Sequence, residues 1–221
     1  MSSPGTIVRN LTFQSNDLGK ETTILLVFDA NMEGLYDTIY PVVWKVFTFP
    51  KTGSGELKVT YTNDLAFAEA DVVHGNCIEV YTDFKLKPGQ KTTLTLENSE
   101  DSENMIFSPP VAGTDGYLSA ENKTGRVQDL AVGFFTPKPF GPVQEPALFF
   151  KEVEDGSIAT AQWKPVLRVY LESNYEETEA LIDAIKIPPI WEQDLHRLFR
   201  NTTLNLERHP LTGLCTFTKT K

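Results

Sequence analysis

Three kinds of side chain in this sequence could do chemistry: an imidazole and a thiol in one short run, a lysine inside an apolar segment, and a set of large amphipathic rings. His74-Gly-Asn-Cys77 offers two ligands that suit zinc or copper, but a closed site needs four. The spacing of His196, His209 and Cys215 does not force them toward that pair, so His74 reads as a turn residue and Cys77 as a small core residue of the strand behind it. Activating Cys77 as a nucleophile would need a nearby base or a helix N-terminus. Glu97-Asn-Ser-Glu-Asp-Ser-Glu-Asn104 supplies oxygen ligands without the central glycine and fixed spacing of a calcium loop, and reads as a solvated hairpin tip.

Lys45 lies in Val42-Val-Trp-Lys-Val-Phe-Thr-Phe49, where Val43 and Phe47 share its parity and Val42, Trp44 and Val46 hold the other face. Both faces are apolar. A lysine buried there would have a depressed pKa and could form an imine or bond a ligand carbonyl; alternatively its ammonium snorkels to the sheet edge. The rings are Trp44, Trp163 and Trp191 with Tyr40, Tyr61, Tyr117, Tyr170 and Tyr175, able to line an apolar pocket while donating a hydrogen bond. Trp44, Lys45, Tyr61, His74, Trp163, Tyr170 and Trp191 form the candidate ligand-binding set. Neither a catalytic nor a metal-ligating set is assigned. The serine elbow, phosphate-cradling glycine loop, dinucleotide fingerprint and zinc-helix signatures are all missing from the sequence.

Composition narrows the partners. Thirty acidic against 20 basic residues give a formal charge of -10, which repels nucleic acid and anionic lipid. The apolar runs fall far short of a bilayer span, and no secretory leader opens the sequence, so a soluble protein is expected. Two cysteines far apart in sequence fit a reducing, cytoplasmic home. Without a secretory route, the sequons at Asn10, Asn122 and Asn201 read as ordinary loop or strand residues.

The elements that must position these side chains are strands. From residue 6 to about 135 the chain is short β-type runs broken by Gly, Pro, Asn and Asp. Glu56-Leu-Lys-Val-Thr-Tyr-Thr62 alternates strictly, the mark of a half-buried strand. Lys87-Pro-Gly-Gln90 predicts a hairpin turn. The proline-dense stretch 136–146 reads as a connector, and residues 147–221 as an appendage that completes the fold. In that appendage, Trp163 to Leu171 predicts one long strand. Ser173 and Glu176 have capping-box spacing ahead of Ala180, Leu181, Ala184 and Ile185, which predicts a short helix. A further turn or two is expected over Trp191–Phe199, and a closing hairpin around His209–Gly213. The expected architecture is mainly β: a single compact domain built as a two-sheet antiparallel β-sandwich or barrel, with a short helical segment near the C-terminus.

Val42–Pro50, Leu57–Phe67, Pro110–Gly125, Ala131–Phe134, Ser173–Glu179 and Ile190–Leu195 together resemble the recurrent blocks of a family of small, largely uncharacterised basidiomycete (mushroom) β-proteins. Within that set the chain resembles the pink chromoproteins of oyster-type mushrooms in size. That resemblance implies a class of function: non-enzymatic holding of a small conjugated aromatic chromophore in a fruit-body protein. It carries over no contact residues. A sugar-binding lectin or defence protein is the alternative, and an enzyme with a scattered site a second. Homodimerisation is compatible with each.

Overall fold

The computed structural model describes residues 5–30, 32–99 and 102–220. The acidic tip read between Glu97 and Asn104 centres on positions outside that set. Strands hold 62% of the chain and helix about 1%, so the protein is mainly β. In chain order the first strands are β1 (Val8–Asn16), β2 (Thr22–Val27), β3 (Tyr40–Pro41), β4 (Val43–Phe49), β5 (Ser54–Thr62) and β6 (Leu65–Val73). The middle of the chain forms β7 (Cys77–Leu86), β8 (Gln90–Ser99), β9 (Ser102–Phe107), β10 (Val111–Ala112), β11 (Tyr117–Lys123) and β12 (Gln128–Lys138). The last are β13 (Gly141–Val153), β14 (Ile158–Gln162), β15 (Val166–Tyr170), β16 (Trp191–Asp194), β17 (Asn201–Arg208) and β18 (Cys215–Lys219).

These strands make four sheets where two were expected, none of them closed, so the barrel alternative falls, and the parallel pairs β1–β17 and β8–β11 depart from an all-antiparallel build. The first sheet runs β18-β17-β1-β5, with β1 and β17 parallel and the other pairs antiparallel. The second runs β10-β8-β11-β14, with β9 also on β8. The third is β3-β13-β12-β6-β7 and the fourth β16-β15-β2-β4. Strands from beyond residue 147 enter the first, second and fourth sheets, and β13 itself crosses that position.

Alternation places the core. Leu11 and Phe13 on β1, Val59 and Tyr61 on β5, and Leu204 and Leu206 on β17 all point into one apolar cluster with Phe67, Leu130, Val132 and Phe134 from the third sheet. At its centre Phe28 meets Trp44 and Trp163 with ring centroids 5.3 Å away in each case, and Tyr61 lies 5.0 Å from Phe134. Edge-on and tilted packing of this kind adds to the area that the rings bury.

Four local expectations give way to tertiary structure. Lys87–Gln90 does form a turn, with Gln90 N donating to Lys87 O at 3.0 Å, but β7 and β8 belong to different sheets and make no hairpin. The proline-dense stretch is no connector: it forms the end of β12, the turn, and the start of β13, with Pro137 opposite Pro142. The expected long strand from Trp163 is shorter: only Val166–Tyr170 pairs, as β15, and Trp163 to Pro165 lie between it and β14, Pro165 lacking a ladder donor. The predicted helix is an extended strap. Val43 bonds the strap twice, Thr178 N donating to Val43 O and Val43 N donating to Glu179 O, both at 2.9 Å. Ile78 N donates to Thr178 O and Ala180 N to Asn76 O, both 2.8 Å. Ala180 and Leu181 then enter two different clusters, one with Val42, Ala70 and Ile78, the other with Leu25, Val27 and Tyr170. Neighbours pointing opposite ways is the period of a strand, and burial on both sides outweighs the local capping signal. Helix is confined, among the described residues, to a 3₁₀ turn at Leu195–Arg197 following β16. The closing hairpin β17–β18 forms as expected.

Candidate functional site

Asp29 follows the apolar strand β2, and that position buries its carboxylate: the residue is 5% exposed. Tyr170 Oη donates to Asp29 Oδ2 at 2.7 Å and Tyr36 Oη to the same oxygen at 3.3 Å, while Arg168 Nη1 donates to Asp29 O at 2.9 Å. Burial pushes the Asp29 carboxyl above its ordinary 3.8, against the pull of Tyr170, Arg168 and Tyr36. Burial and the neighbouring carboxylate push both phenols up. The two phenol shifts keep the tyrosine hydroxyls protonated and donating, which is what a tether needs.

The tether fixes the segment from residue 32 to 40. Tyr36 holds φ +62, unusual for a side-chain-bearing residue, and Gly34 takes φ +77 where a Cβ would meet Thr38 Oγ1 at 2.7 Å. Gly34 O accepts from the backbone N–H of Asp37, Thr38 and Ile39 at 3.0 to 3.1 Å, and Ile39 is buried as a plug. So secured, the segment forms one wall of an open cleft of about 660 Å³. The opposite wall is the end of β13 from Phe150 and the strand β14, with Tyr117 of β11 beside Gln162. Tyr40, Tyr117 and Phe150 supply rings; Thr38, Thr160 and Gln162 supply neutral polar groups; Glu33, Asp37 and Glu152 outnumber Lys151. The volume and the mixture of rings with a few polar groups match small-ligand sites.

The candidate residues read from sequence do not converge there. Trp44, Tyr61 and Trp163 do meet, with Trp163 Nε1 donating to the Tyr61 hydroxyl at 3.1 Å, but as packed core around Phe28 and Phe134. Trp44 is 2% exposed and Tyr61 fully buried, and burial raises the Tyr61 phenol. Trp191 sits edge-on to Phe13, 6.2 Å away, under the first sheet. Tyr170 belongs to the Asp29 tether. His74 is exposed in the turn between β6 and β7, and Cys77 is half-buried rather than buried, its thiol 4.0 Å from Glu176 Oε2.

Lys45 departs most from its sequence reading. Leu26 pairs with Lys45 and Val27 with Val43, so Trp44 is the extra residue of a bulge and parity fails across it. Trp44 and Lys45 therefore reach the same carboxylate: Trp44 Nε1 donates to Glu145 Oε2 at 2.9 Å and Lys45 Nζ lies 2.8 Å from that oxygen. Lys138 lies 3.4 Å from Oε1, and Glu177 lies 3.3 Å from Lys45. Burial alone would lower the Lys45 ammonium, but Glu145 and Glu177 outweigh it and raise it. A lysine held charged in this way is not an imine-forming one.

Sequence reasoning named Tyr40 and Tyr117 only among the rings and missed Asp29, Tyr36 and Glu145. Asp29 had a signal: a carboxylate directly behind the apolar run Ile24–Phe28. Glu145 had none, hidden between prolines. Among the described residues no group of three or more His, Cys, Asp and Glu could hold a metal ion, and no helix is long and apolar enough to cross a membrane. Comparison with protein-family models, curated proteins and solved structures finds no match to this chain.

Proposed function

We propose that this protein is a non-enzymatic binding protein whose ligand, a small organic molecule, occupies the cleft between residues 33–40 and β14. The observation that carries the reading is the cleft itself: about 660 Å³ flanked by Tyr40, Tyr117 and Phe150 and held open by a wall tethered to a buried carboxylate. Its lining contains carboxylates, hydroxyls and one lysine, but no histidine or cysteine to pair as base and nucleophile. The half-buried rings of Tyr40 and Tyr117, with Phe150 buried behind the cleft, give a planar conjugated molecule an aromatic surface to lie against, in keeping with the pigment-holding role that the mushroom-family resemblance implies. A soluble, cytoplasmic fruit-body protein able to pair as a homodimer belongs to the same proposal.

The test compares protein isolated from its native source with protein made in bacteria, by intact mass and visible spectrum. A native sample that carries an added mass and absorbs beyond the aromatic side chains supports a bound pigment. A Tyr117→Ala variant expressed in the native host should then lose most of that absorbance. Identical masses and spectra sink the pigment version, and undiminished absorbance in the variant removes the ligand from this cleft.

A further inference from the structure

The cleft contains an unpaired sheet edge. Asn122 N donates to Ser157 O at 2.9 Å and Gly156 N donates to Asn122 O at 2.7 Å, so both backbone groups of Asn122 turn toward β14. Antiparallel ladders alternate, and the register sets Ala120 against Ala159 and Leu118 against Ala161. The backbone N–H and C=O of Ile158, Thr160 and Gln162 therefore point away from β11, and these residues line the cleft.

This edge also lacks the usual protection. Open strands are normally blunted by charge, proline or shortness, because a bare ladder invites pairing. The outer strands β3, β4, β5, β7, β9, β16 and β18 each carry a charged residue or a proline, and β10 has two residues. Ile158-Ala-Thr-Ala-Gln162 has neither charge nor proline. Across from it stand Glu33 and Asp37, which make no ion pair among the described residues, while Glu152 lies beside Lys151 at 3.2 Å.

We propose that the cleft takes a short, extended, basic peptide, which adds to the second sheet as a strand on the free edge of β14. The inference rests on the cleft being the binding site and assigns it a peptide as a ligand class distinct from a pigment. Main-chain pairing supplies affinity in strand addition, and side chains of alternating direction supply specificity. The five residues of β14 span roughly 17 Å at about 3.4 Å each, the length of a pentapeptide. A basic peptide meets the unpaired carboxylates, whereas a second copy of this chain would bring its own Glu33, Asp37 and Glu152 against them. The far wall at 33–40 also favours a single strand over the edge of another sheet.

The experiment is fluorescence anisotropy with a dye-labelled, end-capped pentapeptide of alternating lysine and threonine. Two controls are that peptide N-methylated at every second amide, in both registers, and an acidic pentapeptide of equal length. The unmodified basic peptide should bind, one methylated register should bind about tenfold more weakly, and the acidic peptide should fail. Thr160→Pro removes an edge donor without touching the ladder to β11, and should weaken binding about tenfold at an unchanged unfolding midpoint. Should that variant fold poorly, Glu33→Gln with Asp37→Asn should reduce both affinity and its salt dependence. Binding indifferent to backbone methylation or to peptide charge, or no binding at all, overturns the proposal. So does a dimer in light scattering that Thr160→Pro dissociates, which would give the edge to a second copy. A native-source ligand displaced by Tyr117→Ala alongside a peptide that fails to bind defeats the peptide inference alone; if neither is found, the cleft reading goes with it.

Discussion

Replacing Glu145 separates two contributions that the bulge on β4 brings to one carboxylate. Its side chain is 10% exposed, and it accepts from Trp44 Nε1 while pairing with Lys45 and Lys138. Glu145→Ala strands a buried indole N–H, which costs about 1–3 kcal/mol, and halves the charge compensation of Lys45. Breaking a fully buried pair costs about 3–5 kcal/mol, but Lys45 is 19% exposed and keeps Glu177, which argues for the low end. The sum is about 3 kcal/mol. Glu145→Gln keeps an acceptor for Trp44 and loses only the charge, at about 1 kcal/mol. For a chain of this length, each 1 kcal/mol moves the melting midpoint by about 2–4 °C, so alanine should lower it by about 6–12 °C and glutamine by about a third of that. Urea unfolding followed by tryptophan fluorescence gives the same ranking as midpoint shifts at constant slope. Equal effects of the two variants, or both within about 0.5 kcal/mol of wild type, would refute the assignment of Glu145 as the indole acceptor.

Three further outcomes follow from the geometry. The Asp29 carboxyl titrates above its unfolded 3.8, so its protonated form favours the folded chain: this contribution is complete below that value and is lost as pH rises through the folded pKa. Asp29→Asn should therefore shrink the difference between urea midpoints at pH 4 and pH 7 relative to wild type, and an unchanged difference contradicts the tether chemistry. Gly133→Ala should destabilise by more than about 2 kcal/mol, because the new Cβ would fall 2.1 Å from Glu145 O on the bulged strand opposite, a backbone atom that cannot step aside; thermal melting reads it. Leu181→Ala empties a site 1% exposed beneath the strap and should cost about 2–4 kcal/mol, with protease cleavage between residues 172 and 190 appearing before global unfolding.

Period-2 patterns were legible in the sequence wherever one face of a strand is wet. Glu56–Thr62 is such a strand, and its Leu57, Val59 and Tyr61 do face the core. Patterns failed where both sides are covered. Ala180 and Leu181 fit a helical interval as well as an extended one, and only the two sheets flanking the strap decide between them. Lys45 was misread because a bulge inserts one residue and inverts every parity beyond it. The cleft was illegible for a different reason: it assembles from residues 33–40, 117 and 150–162, none of which carries a motif, and only the topology brings a plain segment such as Ile158–Gln162 to an edge.

The parallel pairing of β1 with β17 sets a timetable for biosynthesis. Asn10 bonds Asn201 across 191 positions of chain, and β17 flanks β1 on the side away from β5. At about 5–20 residues per second, a ribosome needs roughly 10–40 s after making β1 to deliver its neighbour. Throughout that interval one flank of β1 is bare and Phe13 lacks its Trp191 and Phe217 lids. The nascent chain thus exposes a sticky strand for most of its own translation, and shielding by a chaperone over that period should govern how much protein reaches the folded state.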